Sequence, residues 1–167
     1  LKSSPYILQF SGLKLGNHSF EFLLEASFFD SCESFGIQKG SGIAKAVLEK
    51  KETMMLLSLT LNATLDVLCD RCNENMSLDV DGHMELIYKF GIEESLDESL
   101  VILPPDSYQI DMFQPVYELL VVSLPSRFIH PNDGCNPEVL KFLNTPPTSQ
   151  EKKNELDPRW SALNKLN

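Results

Sequence analysis

Between residues 55 and 86 the chain alternates apolar and polar positions. Met55, Leu57, Leu59, Leu61, Ala63, Leu65 and Val67 take every second place. After a short break Met76, Leu78, Val80, Met84 and Leu86 interleave with Ser77, Asp79, Asp81, His83 and Glu85. A period of two puts successive side chains on opposite faces, so each run predicts a strand with one dry and one wet face. The break holds Asn73-Glu74-Asn75, good turn formers. The two runs therefore predict one long antiparallel hairpin with Cys69-Asp70-Arg71-Cys72 at its tip.

Shorter runs precede it. Tyr6–Phe10 reads as a strand, and residues 18–25 alternate through Phe20, Phe22 and Leu24. Residues 26–33 fit one helical turn or a loop. Residues 36–42 contain three glycines and are expected to form a flexible connection before a further alternating run at Ile43–Leu48.

Beyond residue 90 the pattern changes. Residues 91–99 are acidic and aperiodic, which predicts a loop, and Val101-Ile102-Leu103 stops at Pro104-Pro105. Asp111 is placed as a helix N-cap, with Gln114 completing a capping box and Pro115 in the first turn, where its missing N–H costs little. Val116, Leu119, Leu120 and Ser123 stripe this helix, and Pro125 ends it. Asn136 and Pro137 supply a cap and first residue for a short helix through Phe142. Residues 144–156 read as a polar linker, and Asp157-Pro158 opens a last helix carrying Trp160, Leu163 and Leu166. The expectation is an α+β chain. Residues 1–143 form a strand-rich domain, an antiparallel sheet or partly open barrel with a long central hairpin, followed by C-terminal helices. Residues 157–167 pack back on that domain or on a partner.

Composition narrows the function. The 167 residues carry 14 Lys and Arg against 24 Asp and Glu, a formal charge of −10. That argues against a surface that grips nucleic acid all over, since phosphate binding leaves a basic footprint, but it leaves room for one local basic site. No run approaches the roughly 20 apolar residues that cross a bilayer. Four cysteines in a chain of this size suit a reduced, cytoplasmic protein better than a disulfide scaffold, and the role of Cys32 is open. The three N-x-S/T triplets carry no meaning in that compartment.

The candidate chemistry centres on Cys69 and Cys72. A C-x-x-C at a hairpin tip aims both sulfurs the same way, as zinc ribbons and knuckles do. Zinc needs two more ligands, and His130 and Cys135 follow in a turn-rich loop. Free thiols are the competing reading. Redox chemistry is disfavoured because the motif is followed by a strand and lacks the helix N-terminus that lowers a thiol pKa. No local signature joins the cysteines and histidines into a nucleophilic site, and nothing points to a small-molecule substrate. Asp79, Asp81 and Glu85 form a negative face, either a wet surface or a site for a basic partner. Arg71 and Arg127 flank the cysteine elements and converge if tip and loop meet, which would make one small spot for phosphate.

The order and spacing of several pieces resemble a known family. They are Phe10-Ser11-Gly12-Leu13-Lys14-Leu15-Gly16 with Phe20-Glu21-Phe22, Leu68-Cys69-Asp70-Arg71-Cys72, Val116-Tyr117-Glu118 with Ser123-Leu124-Pro125, His130-Pro131 with Cys135-Asn136, and Asp157-Pro158-Arg159-Trp160. The chain resembles the large ribosomal RNA subunit accumulation protein YceD family in its Bacteroidetes-like form. The resemblance implies a role in accumulation of 23S ribosomal RNA and large-subunit assembly, and no reaction. Many members carry paired cysteines before the Asp-Pro-Arg; here only Cys135 stands there, so zinc would require His130 in place of a lost cysteine. The leading expectation is a non-enzymatic assembly factor that binds ribosomal RNA or a basic ribosomal protein, with Arg71, Arg127, Arg159 and Trp160 as contact residues. The alternatives are a metal-dependent RNA-processing enzyme and a zinc-stabilised adaptor unrelated to ribosomes.

Overall fold

The computed structural model describes residues 6–30, 36–92, 97, 99–131 and 134–144. Its centre is a five-stranded sheet in the order β2-β3-β4-β5-β6. Two small pieces come first, β1 (Ile7–Gln9) and β2 (Gly16–Leu24), then a single helical turn, α1 (Ala26–Phe29). Three long strands follow: β3 (Ile37–Lys50), β4 (Met54–Leu68) and β5 (Asn75–Phe90). The short strands β6 (Leu100–Leu103) and β7 (Gln109–Asp111) lead to the helices α2 (Phe113–Ser123) and α3 (Pro137–Asn144). The fold is α+β, and the sheet is open rather than closed into a barrel.

The alternation does what it predicts. All seven apolar positions from Met55 to Val67 are buried on one face of β4, together with Ala44, Ala46 and Leu48 of β3 and Met76, Val80 and Leu86 of β5. Leu59 pairs with Met84 and Ala46, so the dry faces of all three strands coincide. Above this layer lie α1, α2 and the two-stranded β1–β7 ribbon. Tyr6, Phe28 and Phe113 meet edge-on or tilted with ring centroids 5.3–5.9 Å apart, a spacing at which aromatic quadrupoles attract. Val116, Leu119 and Leu120 of α2 are buried against β4 and β5.

Three expectations are corrected. Residues 37–42 are the first part of β3 and not a flexible connection. Gly40 is needed there because a Cβ would stand 2.7 Å from the Phe29 ring and 2.9 Å from Leu65, so the glycine serves close packing rather than freedom of the backbone. Strand β6 adds to the sheet in parallel with β5, a departure at one edge from the antiparallel pairing that was expected and that β2–β5 show. At α2 the cap sits one residue later than placed. Met112 is the N-cap, and Asp111 Oδ1 accepts the Phe113 N–H at 2.9 Å from the end of β7. No capping box forms, because the Gln114 side chain donates instead to Glu118 one turn on. The expected linker after residue 144 and the last helix with Arg159 and Trp160 lie outside the described residues, as does Cys32.

One glycine sets how closely α2 approaches the sheet. A Cβ on Gly82 of β5 would collide with Ser123 Oγ and stand 2.9 Å from Leu119 Cδ1. Gly82→Val is therefore expected to push α2 off the sheet and destabilise the protein by about 1–3 kcal/mol, read as a lower urea midpoint at unchanged slope. Thr60→Val, on the exposed face of the neighbouring strand, is expected to shift the midpoint little.

Candidate metal centre

The β4–β5 hairpin closes through a knuckle rather than a simple turn. The Cys69 N–H donates to the Glu74 carbonyl at 2.9 Å, and the Asn73 N–H donates to the Cys69 carbonyl at 2.8 Å. Asn73 has φ of 59°, the left-handed region that asparagine tolerates better than other residues with a side chain. The fold turns the Arg71 N–H toward Cys69 Sγ, 3.4 Å away.

The segment after α2 is tied to this tip. Asp70 N–H donates to the Phe128 carbonyl, and the Phe128 N–H donates back to Asp70 Oδ2, both at 2.7 Å. Asn136 Nδ2 donates to Glu74 Oε1 at 2.7 Å while Asn136 Oδ1 caps α3 by accepting the Glu138 N–H at 2.9 Å. Gly134 closes a turn on the Pro131 carbonyl at 3.1 Å. These bonds bring His130 and Cys135 to the knuckle across 58 and 66 residues of sequence.

The donor atoms of Cys69, Cys72, His130 and Cys135 all lie within 4.8 Å of one another. Cys69 Sγ and Cys135 Sγ are 3.7 Å apart, and His130 Nδ1 is 3.4 Å from Cys72 Sγ and 3.8 Å from Cys135 Sγ. Zinc–sulfur bonds of about 2.3 Å and zinc–nitrogen bonds of about 2.0–2.1 Å give a tetrahedron with S···S edges of about 3.8 Å and S···N edges of about 3.5 Å. These three distances lie close to those edges, and the two sulfurs stand far beyond the roughly 2.05 Å of a disulfide. The four residues predicted as ligands thus come together as one set.

Electrostatics favour a cation at its centre. Burial pushes the Cys69 thiol up, but the backbone N–H groups of Cys72, His130 and Arg71 outweigh that and bring it down to about 6. Burial pushes Cys135 up to about 11, aided by the neighbouring Cys69 and Cys72 sulfurs. Buried sulfurs this close cannot all carry negative charge unless a positive ion sits between them. The lowered Cys69 pKa arises from loop N–H groups; the motif lies between two strands, without the helix dipole of a thioredoxin-type site.

The arginines converge as expected. Arg71 and Arg127 line a surface pocket of about 480 Å³ with Asp70, Ile129 and Leu143. Beside it the outer face of α3 exposes Phe142 and Leu143. Sequence reasoning missed Asp70 as the clamp between tip and loop. A short carboxylate directly after the first cysteine of a knuckle is the available signal, since it accepts backbone N–H groups readily. It also missed Ile129 and Leu143, which carry no local signature.

Metal uptake is expected to release protons, that of Cys135 among them, so the apparent Zn²⁺ affinity should rise with pH; competition against a chelator at two pH values a unit apart checks this. Co²⁺ is expected to give the intense visible absorption of a tetrahedral thiolate site, and Cys72→Ser to lose it. Asp70→Ala removes the acceptor of the Phe128 N–H and is expected to cost about 0.5–1.5 kcal/mol of stability, measured by thermal unfolding of the zinc-loaded protein.

The protein-family model for the large ribosomal RNA subunit accumulation protein YceD matches residues 57–167. That span holds most of β4, all of β5, the knuckle, all four donors and both pocket arginines. Comparison with curated proteins and with solved structures returned no match. The matched span is about two thirds of the chain and contains the whole site, and on that finding this chain belongs to the YceD family of large ribosomal RNA subunit accumulation proteins.

Proposed function

We propose that this protein supports accumulation of 23S ribosomal RNA and assembly of the large ribosomal subunit without catalysing a reaction, with Zn²⁺ held by Cys69, Cys72, His130 and Cys135 as a structural ion. The observation that carries the reading is the four-donor set gathered within 4.8 Å in a chain of this family. Four protein ligands fill zinc's tetrahedron, whereas a catalytic zinc keeps a position open for water or substrate. The ion's work is then mechanical: it locks the hairpin tip to the segment between α2 and α3. The cytoplasm suits both parts of the reading, since thiols stay reduced there.

Two surfaces serve contact. The tip offers Arg71 and Arg127 beside an apolar rim, a small basic place for phosphate of the rRNA. Arg159 and Trp160, which lie outside the described residues, are assigned to the same contact from their sequence. A charge of −10 on the chain repels phosphate elsewhere and attracts Lys/Arg-rich protein, so a basic ribosomal protein is the favoured direct partner.

Elemental analysis of the reduced protein is expected to find one zinc per chain, and none in Cys69→Ser. A strain lacking the gene is expected to accumulate less 23S rRNA and fewer mature large subunits, and the Cys69→Ser gene to restore them poorly. Normal large-subunit levels in the deletion strain would refute the assembly role. Cleavage of precursor rRNA by the pure protein, lost in Cys69→Ser, would refute its non-enzymatic character.

A further inference from the structure

The tip accounts for little of the molecule's charge, and the core-facing side of the sheet is covered. The opposite face of β2–β5 is bare among the described residues. Register places its side chains in rows: Leu23, Ile43, Asn62 and Asp81 lie side by side, as do Glu21, Lys45, Thr60 and His83. Ser41, Thr64 and Asp79 form a third row.

Two independent features mark this face as more than a wet surface. The first is apolar. Leu23 and Ile43 are direct cross-strand partners, 66% and 37% exposed, and Val47 is 40% exposed two positions along β3. A trough of about 720 Å³ runs beside Ile43 between Asn62, Thr64, Asp79 and Asp81. The second is charge. Glu21, Glu49, Asp66, Asp79, Asp81 and Glu85 lie on this face against Lys39, Lys45 and Lys89, which leaves it net negative. Thr64 and Asn62 donate to Asp79 and Asp81, which holds those carboxylates along the edge of the trough.

We infer that the open face of β2–β5 is a docking surface for an extended Lys/Arg-rich protein segment, whose cations meet Asp79, Asp81 and Glu85 while its apolar side chains cover Leu23, Ile43 and Val47. The charge decides between occupants. A second copy of this face would set one net-negative surface against another, and RNA would set phosphates against it; a cationic partner gains from the contact. The apolar pairs give it area to bury that a purely ionic surface lacks. The proposal rests on the proposed function for the class of partner, and it is independent of the metal centre.

The test uses the full-length, zinc-loaded chain and a labelled peptide of about 12 residues in which Lys alternates with Val, about 40 Å long when extended. Amide shifts on titration are expected to concentrate at Ile43, Lys45, Asn62, Thr64, Asp79 and Asp81. Asp79→Asn combined with Asp81→Asn keeps the acceptor oxygens and is expected to weaken binding by about threefold to tenfold. Glu52→Gln combined with Glu138→Gln makes the same charge change away from this face and is expected to leave the affinity within about twofold. Leu23→Ser with Ile43→Ser is expected to weaken the binding that persists at high salt. Equal losses in the two charge variants, or shifts spread over the whole surface, would reduce the effect to net charge and overturn the site. Tighter binding of a single-stranded RNA of about 12 nucleotides at the same amides would overturn the partner class. Nuclear Overhauser contacts from Trp160 to Ile43 in the free chain would assign the face to the protein's own C-terminus instead. These readouts use purified components, so their failure is distinct from that of the assembly role, which the deletion strain decides.

Discussion

The reciprocal pair of hydrogen bonds between Asp70 and Phe128 is the contact on which the working end of this molecule depends. It joins the far end of a long hairpin to a loop 58 residues later in the chain. Two separately weak half-sites become a four-donor cluster only because that register holds. Each bond contributes modestly, about 0.5–1.5 kcal/mol. A metal at the centre would add a far larger constraint, because its ligands come from both sides of the junction and ordering the loop has already been achieved by folding. The same junction sets Arg71 beside Arg127, so the arginine-lined pocket and the thiol cluster stand or fall together.

Charge is distributed with a division of labour. Carboxylates dominate the open sheet face, while Arg71 and Arg127 meet at the tip. On a chain of net charge −10 this separation sets a small basic spot apart from an acidic face. The bareness of the sheet face follows from the core arrangement. Helices α1 and α2 and the β1–β7 ribbon all lie on the side that buries the alternating leucines, so nothing described remains to cover the other side.

The sequence determined the parts whose information is local. Strict alternation from Met55 to Val67 and from Met76 to Leu86 specified the hairpin, its dry face and the position of the C-x-x-C at its tip, because side-chain period is dictated by strand geometry alone. Residue type pointed to the donor set, since thiolates and imidazole are the usual ligands of a structural zinc, and Cys135 and His130 stand in a loop able to turn. Tertiary structure decided the rest. Glycines at 40 and 42 read locally as flexibility, yet the nearby Phe29 ring makes Gly40 a packing requirement within β3. Gln114 had a capping partner within reach and bonds Glu118 instead. The parallel β6 depends on where the chain returns after its loop, which no local pattern encodes. Above all, the meeting of Cys69 with Cys135 across 66 residues follows from the hydrogen bonds that close the tip, and long-range closure of that kind is set by the sum of contacts over the whole fold rather than by any one stretch of it.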